Sequence, residues 1–419
     1  MRRPFGALLL AAAIAASGCS SLNFGKRIRK PVDAAYSIED AAFRDSLGNL
    51  VNAPFLEGNK VTELLNGDQI FPAMVEAIKG AKKTITLEQY IWSSGKVSDM
   101  FVPAICERAR AGVKVLVLVD AFGSGKLHRK DVKQMTDAGV EFRKYNPPIL
   151  TFHLFGRDQR SHRKLLIVDG RVGFIGGVCM SDEWLGNAQP KHWRDTHFRV
   201  EGPVVGQIQA IFASNWLQMT GKVIEGPDYF PHLEKAGDMV AQAVESGPRQ
   251  GREDARLTYL MAFAAAKKSI RIEHAYFAPD AMVIQALKNA RKRGVRVEVI
   301  FPEKLDNVLV RKASWAYWKD LLEAGVQFYE YEPTLLHCKI VIVDDVFTIA
   351  GSVNFDERSL RLNDEANLDV LDKDFAKTMT DTFEEDKKKC KALKMEDFKK
   401  RSPLNRLTDH FIGIFRSQL

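Results

Sequence analysis

The chain of 419 residues is poor in cysteine, and its five cysteines are not paired in spacing. Cys19, Cys106, Cys179, Cys338 and Cys390 are too sparse for a disulfide scaffold or a zinc-ligand pattern. Cys106 and Cys338 stand among apolar residues and read as small core side chains. The N-terminal apolar run, Ala7 to Ala16, is ten residues long, too short to span a bilayer. Aromatics interleaved with basic residues, the pattern that stacks bases, are also missing, which argues against nucleic acid as a partner. What is present suits a globular protein with room for two or three cores: 46% hydrophobic and 27% charged residues. The formal net charge of +8 favours anionic partners, whether nucleic acid, anionic lipid or phosphorylated small molecules.

The N-terminus reads as a targeting segment. Arg2 and Arg3 precede the apolar run, and Ser17-Gly18-Cys19 follow it, which is the order of a secretory signal. Its end resembles a bacterial lipobox, although Ala16 stands where Leu is commoner. The resemblance implies that residues 1–19 are a lipoprotein signal peptide and that Cys19 is lipidated. Ser20 then implies an exported lipoprotein on the periplasmic side, at the outer membrane of a Gram-negative host. Residues 20–57 read as a tether with one short helix.

From Asn59 the pattern is regular. Strands are expected at Val61–Leu65, Lys83–Ile91, Val113–Asp120 and Val140–Tyr145. Helices are expected at Phe71–Ala81, Phe101–Ala111 and Lys130–Ala138, with a turn at Asn66-Gly67. This alternation argues for an α/β layered domain with helices on both faces. The order then returns. Ala81-Lys82-Lys83-Thr84-Ile85 matches Ala266-Lys267-Lys268-Ser269-Ile270, Ala111-Gly112-Val113-Lys114-Val115 matches Arg293-Gly294-Val295-Arg296-Val297, and Ala138-Gly139-Val140 matches Ala324-Gly325-Val326. Matched blocks in one order mark an internal duplication. The expected units are residues 58–236 and 237–375, packed pseudo-symmetrically. Between them lie a helix at Val205–Met219 and an exposed loop at 246–254. Residues 376–419 are expected to form a basic, amphipathic tail, in which lysines from Lys387 to Lys400 precede Leu404, Leu407, Phe411, Ile412 and Phe415 at helical spacing; it would suit anionic lipid.

Each unit ends in the same stretch. His162-Arg163-Lys164 leads through an apolar run to Asp169 and then Gly176-Gly177. His337-Cys338-Lys339 leads to Asp344 and then Gly351-Ser352-Val353-Asn354. The β-branched runs read as buried strands, and alternation places His and Lys on one face. An imidazole and an ammonium on one face, supplied twice, suit a phosphate. Breaking a phosphodiester needs a nucleophile, an acid for the leaving oxygen and positive charge around the phosphoryl oxygens. Two histidines and two lysines supply all three with no metal or other cofactor. Which histidine attacks and which donates is open at this level.

These paired H-x-K-x-x-x-x-D motifs resemble those of the phospholipase D superfamily. The flanks Ile175-Gly176-Gly177-Val178, Trp193-Arg194-Asp195-Thr196-His197 and Asn354-Phe355-Asp356-Glu357-Arg358-Ser359 through Glu365 resemble its bacterial cardiolipin synthase branch. The likeness runs from about Asn59 to Val370. It implies two duplicated phospholipase D-like α/β/α sandwich domains around one active site, with His162 as nucleophile and His337 as general acid. Lys164 and Lys339 would neutralise phosphoryl oxygens. Asp169 and Asp344 complete the catalytic motif, in a part more structural than chemical. Ser352 and Asn354 would bind the phosphate. Glu365, 28 residues after His337, would orient that histidine, and Asp195 would be the counterpart for His162. The first copy departs from the pattern with Gly177 and Cys179 in place of Ser352 and Asn354. The implied activity is phosphatidyl transfer at a membrane surface from an anionic phospholipid to an alcohol such as phosphatidylglycerol. Hydrolysis to phosphatidic acid, an exported nuclease and a catalytically silent lipid-binding lipoprotein are the alternatives. The remaining histidines, His128, His153, His192, His197, His232, His274 and His410, read as packing or surface residues, and Trp315 and Trp318 as core. Glu88 and Glu273 are matched across the repeat at strand ends.

Overall fold

The computed structural model describes residues 28–147, 159–248, 253–304 and 318–399. The expected signal segment, Cys19, His153, Trp315, His410 and the apolar stripe after Leu404 lie outside them.

The first half contains α1 (Ala41–Leu50), β1 (Leu56–Leu65), α2 (Asn66–Gly80), β2 (Thr84–Gln89), α3 (Lys96–Arg110), β3 (Lys114–Asp120), α4 (Arg129–Asp137), β4 (Glu141–Tyr145), β5 (Leu165–Val168), β6 (Val172–Gly176), β7 (Thr196–Glu201) and α5 (Val205–Thr220). The second contains β8 (Met239–Ser246), α6 (Asp254–Ala265), β9 (Ser269–His274), α7 (Ala281–Lys292), β10 (Arg296–Pro302), β11 (Gln327–Tyr331), β12 (Lys339–Val343), β13 (Phe347–Gly351), α8 (Glu357–Arg361), β14 (Glu365–Leu371), α9 (Lys373–Lys387), β15 (Cys390–Leu393) and α10 (Met395–Lys399). The first half orders its strands β1-β7-β6-β5-β2-β3-β4, and the second repeats this as β8-β14-β13-β12-β9-β10-β11. The duplication read from matched blocks is therefore a duplication of topology. The two half-sheets join where β1 runs antiparallel to β8, with Leu56 opposite Ala241 and Asn59 opposite Met239. In each, the buried run after the His-Lys pair forms a hairpin strand, antiparallel to the next strand along the chain.

Three cores hold this together. One packs α2 and α3 on the outer face of the first half, with Phe71, Phe101, Ile105 and Val117. A second packs α6 and α7 on the outer face of the second half. The third unites the inner faces: Leu165, Ile167, Ile175 and Phe198 share it with Ile340, Ile342, Ala350 and Leu368, closed by Phe212 of α5 and Phe375 of α9. Burying each such side chain contributes roughly 1.5–3 kcal/mol, so the halves are bound by a common interior as well as by strand pairing.

Two expected boundaries are corrected. Residues 28–57 are not a tether: Phe43, Leu47 and Val51 are buried in the core of the second half, and Phe43 meets Phe347 edge-on at 5.3 Å. Residues 376–399 are not a free basic tail. Met379 and Phe383 bury one face of α9, Lys387 pairs with Glu298 at 2.5 Å, and β15 adds an edge strand to β11. Lys388, Lys389, Lys391 and Lys394 remain exposed; what differs is that the segment carrying them is docked. Smaller differences follow the same logic. Asn66-Gly67 opens α2 rather than turning the chain, with Gly67 packed against the Trp184 carbonyl where no Cβ fits. Ser246 and Asp254, at the ends of the loop expected to be exposed, are buried.

Candidate active site

His162 and Lys164 lie on the extended stretch that leads into β5 at Leu165, and His337 lies two residues before Lys339, which opens β12. All four side chains are buried, with His162 and His337 only 7% and 6% exposed. Burying two ammonium groups beside two imidazoles is costly unless anionic groups face them. The anions come from across the repeat. The His162 backbone N–H donates to the Asp364 carbonyl at 2.8 Å, and the His337 N–H donates to the Arg194 carbonyl at 2.7 Å. Each histidine is thereby clamped against the segment that carries the other half's carboxylate. His162 Nδ1 lies 2.9 Å from both oxygens of Glu365, and His337 Nδ1 lies 2.7 Å from Asp195 Oδ2. The expected pairing within each repeat is thus corrected. Glu365 orients His162 and Asp195 orients His337, because the parallel bridges Ser161–Asp364 and Arg194–Leu336 bring the motifs together crosswise.

Each carboxylate is itself held. Glu365 accepts hydrogen bonds from Ser352 Oγ at 2.5 Å and Ser359 Oγ at 2.7 Å. Asp195 accepts from Trp184 Nε1 at 2.9 Å and the Thr196 N–H at 2.8 Å. Burial raises both acids, but the facing imidazole and lysines outweigh it, and both lie below the usual carboxylate range. Ionised acceptors fix the proton of each neutral ring on Nδ1 and leave Nε2 as the reactive nitrogen. Burial pushes both imidazoles down to about 4; Glu365 partly offsets this for His162, while Lys339 adds to it for His337. Burial also lowers Lys164, and it brings Lys339 to about 8. Lys164 and Lys339 each lower the opposite histidine as well, so the two His-Lys pairs act on one another across the repeat. Lys339 Nζ sits 3.2 Å from His337 Nε2, where a phosphoryl oxygen would compete for it.

Other expected residues fall elsewhere. Asp169 and Asp344 are corrected from the catalytic set. They end their strands, roughly 16 Å of extended chain past the lysines. Asp169 accepts from the backbone N–H groups of Lys82, Lys83 and Thr84. Asp344 does the same for Lys267, Lys268 and Ser269. Both adopt left-handed φ, 54° and 56°, and pin the start of β2 and β9. Ser352 serves Glu365 rather than standing free for a phosphate. Asn354 is buried, and its Oδ1 has no hydrogen-bond partner among the described residues. Cys179, its counterpart, is fully buried near Lys164. Glu88 accepts from Ser161 Oγ and Asn215 Nδ2, and burial raises it to about 7. Trp318 is buried in the second core. His197 and His274 are buried, whereas His128 and His232 are exposed.

Four site residues escaped the sequence reading. Tyr90 sets its ring 4.8 Å from His162, with Lys164 Nζ 5.2 Å from the ring centre. Trp184 and Trp193 flank His337 at 5.1 and 5.4 Å. Ser359 holds Glu365. Trp193 and Ser359 lay inside the motif flanks, which was the available signal; Tyr90 had only its place at the end of an expected strand, and Trp184 had none.

The profile of a family described as cardiolipin synthase, PLD-like domain, matches residues 74–216 and 259–387, one stretch in each half. The chain belongs to the cardiolipin synthase family of phospholipase D-like proteins. It is 37% identical over 352 residues to cardiolipin synthase 2 of Bacillus cereus, covering 83% of this chain and 68% of that protein. It is likewise 37% identical over 358 residues to cardiolipin synthase A of Pseudomonas syringae pv. syringae, covering 85% and 74%. Among solved structures, phosphatidylserine synthase of Haemophilus influenzae shares the fold at 16% identity and a TM-score of 0.65, over 90% of this chain and 100% of that one. Membership in the cardiolipin synthase family accords with the doubled fold and the paired motifs. Among the described residues no helix is long and apolar enough to cross a membrane, and no cluster of His, Cys, Asp or Glu is arranged to hold a metal ion.

Proposed function

We propose that the protein is a phosphatidyltransferase of the phospholipase D type that forms cardiolipin from phosphatidylglycerol through a phosphohistidine. The observation that carries this reading is the pair of crosswise His–carboxylate dyads, His162–Glu365 and His337–Asp195, bordered by Lys164 and Lys339. A ring held neutral by burial keeps its Nε2 lone pair at neutral pH, so His162 can attack phosphorus. The bond from phosphorus to the glycerol oxygen breaks, and His337 Nε2–H protonates the departing alkoxide. The proton reaches His337 as the anionic phosphate enters, because that charge offsets the lysines. In the second step the hydroxyl of another phosphatidylglycerol gives its proton to His337 and attacks phosphorus. The P–N bond breaks, and His162 leaves neutral. The lysines balance charge on the non-bridging oxygens throughout. The roles of attacker and acid follow the family resemblance.

A membrane surface is the natural workplace, since donor and acceptor are both lipids. The segment from Arg2 to Cys19 supports an exported chain anchored by a lipid on Cys19, on the periplasmic side. Purified protein incubated with labelled phosphatidylglycerol should give a diphosphatidyl product and free glycerol. Phosphatidic acid as the sole product would make it a hydrolase. No lipid turnover together with degradation of DNA would make it a nuclease, and no turnover of either would leave a silent lipid-binding protein.

A further inference from the structure

Six large apolar side chains are well exposed among the described residues: Leu50, Phe122, Leu217, Val223, Phe230 and Leu362. Single exposed apolar residues are ordinary, but two of these stand on segments tied to the stretch that leads into His162. Phe122 follows β3 and is 70% exposed. Its loop is fastened to the strand of His162: Asp120 Oδ1 accepts from the N–H groups of Phe122 and Gly123, and Asp120 Oδ2 accepts from the N–H of Ser161. Gly123 lies so close to the Tyr90 carbonyl that a Cβ would sit 2.1 Å from it. Phe122 therefore stands next to the wall formed by Tyr90 and His162. The Arg160 guanidinium lies over the Phe122 ring at 5.1 Å. Leu362 follows α8, two residues before Asp364, whose N–H donates to the Arg160 carbonyl at 2.9 Å.

The loop that carries Phe122 is basic. The stretch from Ala121 to Lys130 holds no acid, while Lys126, Arg129 and Lys130 are exposed on it. On the other side, α8 brings half-buried Arg358 and Arg361 before Leu362, where Glu357, Glu253 and Asp280 balance Arg361. An aromatic ring standing out of an acid-free basic loop, capped by a guanidinium, matches the boundary between anionic headgroups and acyl chains.

We propose that the loop carrying Phe122, with Arg160 and Leu362, is the surface by which this protein seats its site on an anionic phospholipid bilayer. Phe122 enters the acyl region, and Arg160, Lys126 and Arg129 meet the headgroup phosphates. The contact deepens the proposed phosphatidyl transfer and rests on it for the identity of the lipid.

Full-length Phe122→Trp protein tests this. Its tryptophan fluorescence in excess of the parent chain is followed on phosphatidylglycerol vesicles with brominated acyl chains. Strong quenching of that excess is expected there, and little on brominated phosphatidylcholine. Phe122→Ser and Lys126→Glu should each raise the vesicle concentration for half-maximal rate by about tenfold, with a smaller change in kcat. No quenching on either vesicle, or equal quenching on both, would overturn the proposal. The insertion signal does not depend on turnover. A Phe122→Trp chain whose introduced indole is quenched but which converts no phospholipid supports this contact and sinks the transfer reading. One that makes cardiolipin with that indole unquenched does the reverse.

Discussion

In the first half Gly177 faces Asp195 with no room for a side chain: a Cβ there would lie 2.4 Å from Asp195 Oδ1. In the second half the corresponding Ser352 reaches Glu365 and hydrogen-bonds it at 2.5 Å. The shorter acid packs directly on a glycine and takes its donor from the Trp184 indole. The longer acid stands farther out and takes its donors from two serines. What looked in the sequence like a lopsided pocket is two solutions to one requirement, an ionised carboxylate held still behind an imidazole. The halves differ in parts and agree in function.

That comparison can be broken in graded steps. Removing either imidazole, His162→Ala or His337→Ala, should lower kcat by ~10³-fold or more. Trapping with labelled phosphatidylglycerol then separates the two. His337→Ala should accumulate a phosphoenzyme that His162→Ala cannot form, and the opposite result would exchange their roles. Glu365→Gln and Asp195→Asn should each cost about 10–100-fold in kcat/KM. Equal losses would make the dyads equivalent supports, and a much smaller loss at one would show that its histidine is oriented by other contacts. Gly177→Ser, which copies the second half into the first, should overpack Asp195, costing about 1–3 kcal/mol in thermal unfolding and about tenfold in rate. An unchanged enzyme would mean that Asp195 can retreat as Glu365 does.

The smallest change is in pH dependence. The kcat/KM profile should fall on the alkaline side through about 8, where Lys339 loses its proton and its charge. It should fall on the acid side toward about 4, where His162 gains one and loses its lone pair. Lys339→Arg keeps the charge and should extend the plateau upward; an unmoved alkaline limb would assign it to another group.

The duplication was legible because periodic strands, glycine stops and matched blocks are local properties of the chain. So was the His-Lys face, which needs only strand alternation. The partners were not. Residue spacing favoured pairing Glu365 with His337, and only the crosswise bridges at Ser161 and Arg194 reveal otherwise. Asp169 and Asp344 share a motif with the histidines, but which groups their structural part would hold was not legible: each spends its oxygens on three backbone N–H groups. The segment after Phe383 looked undocked, since neither Glu298 nor the edge of β11 is near it in the chain. In each case the missing information was a long-range neighbour.

The anchoring of Phe43 against Phe347 carries a consequence for biosynthesis. Helix α1 has part of its resting place on residues that leave the ribosome roughly 300 positions later, on the order of 15–60 s at ordinary elongation rates. Until then that part of its apolar stripe is uncovered, and the nascent polypeptide needs a holdase or its own transient collapse to shield it.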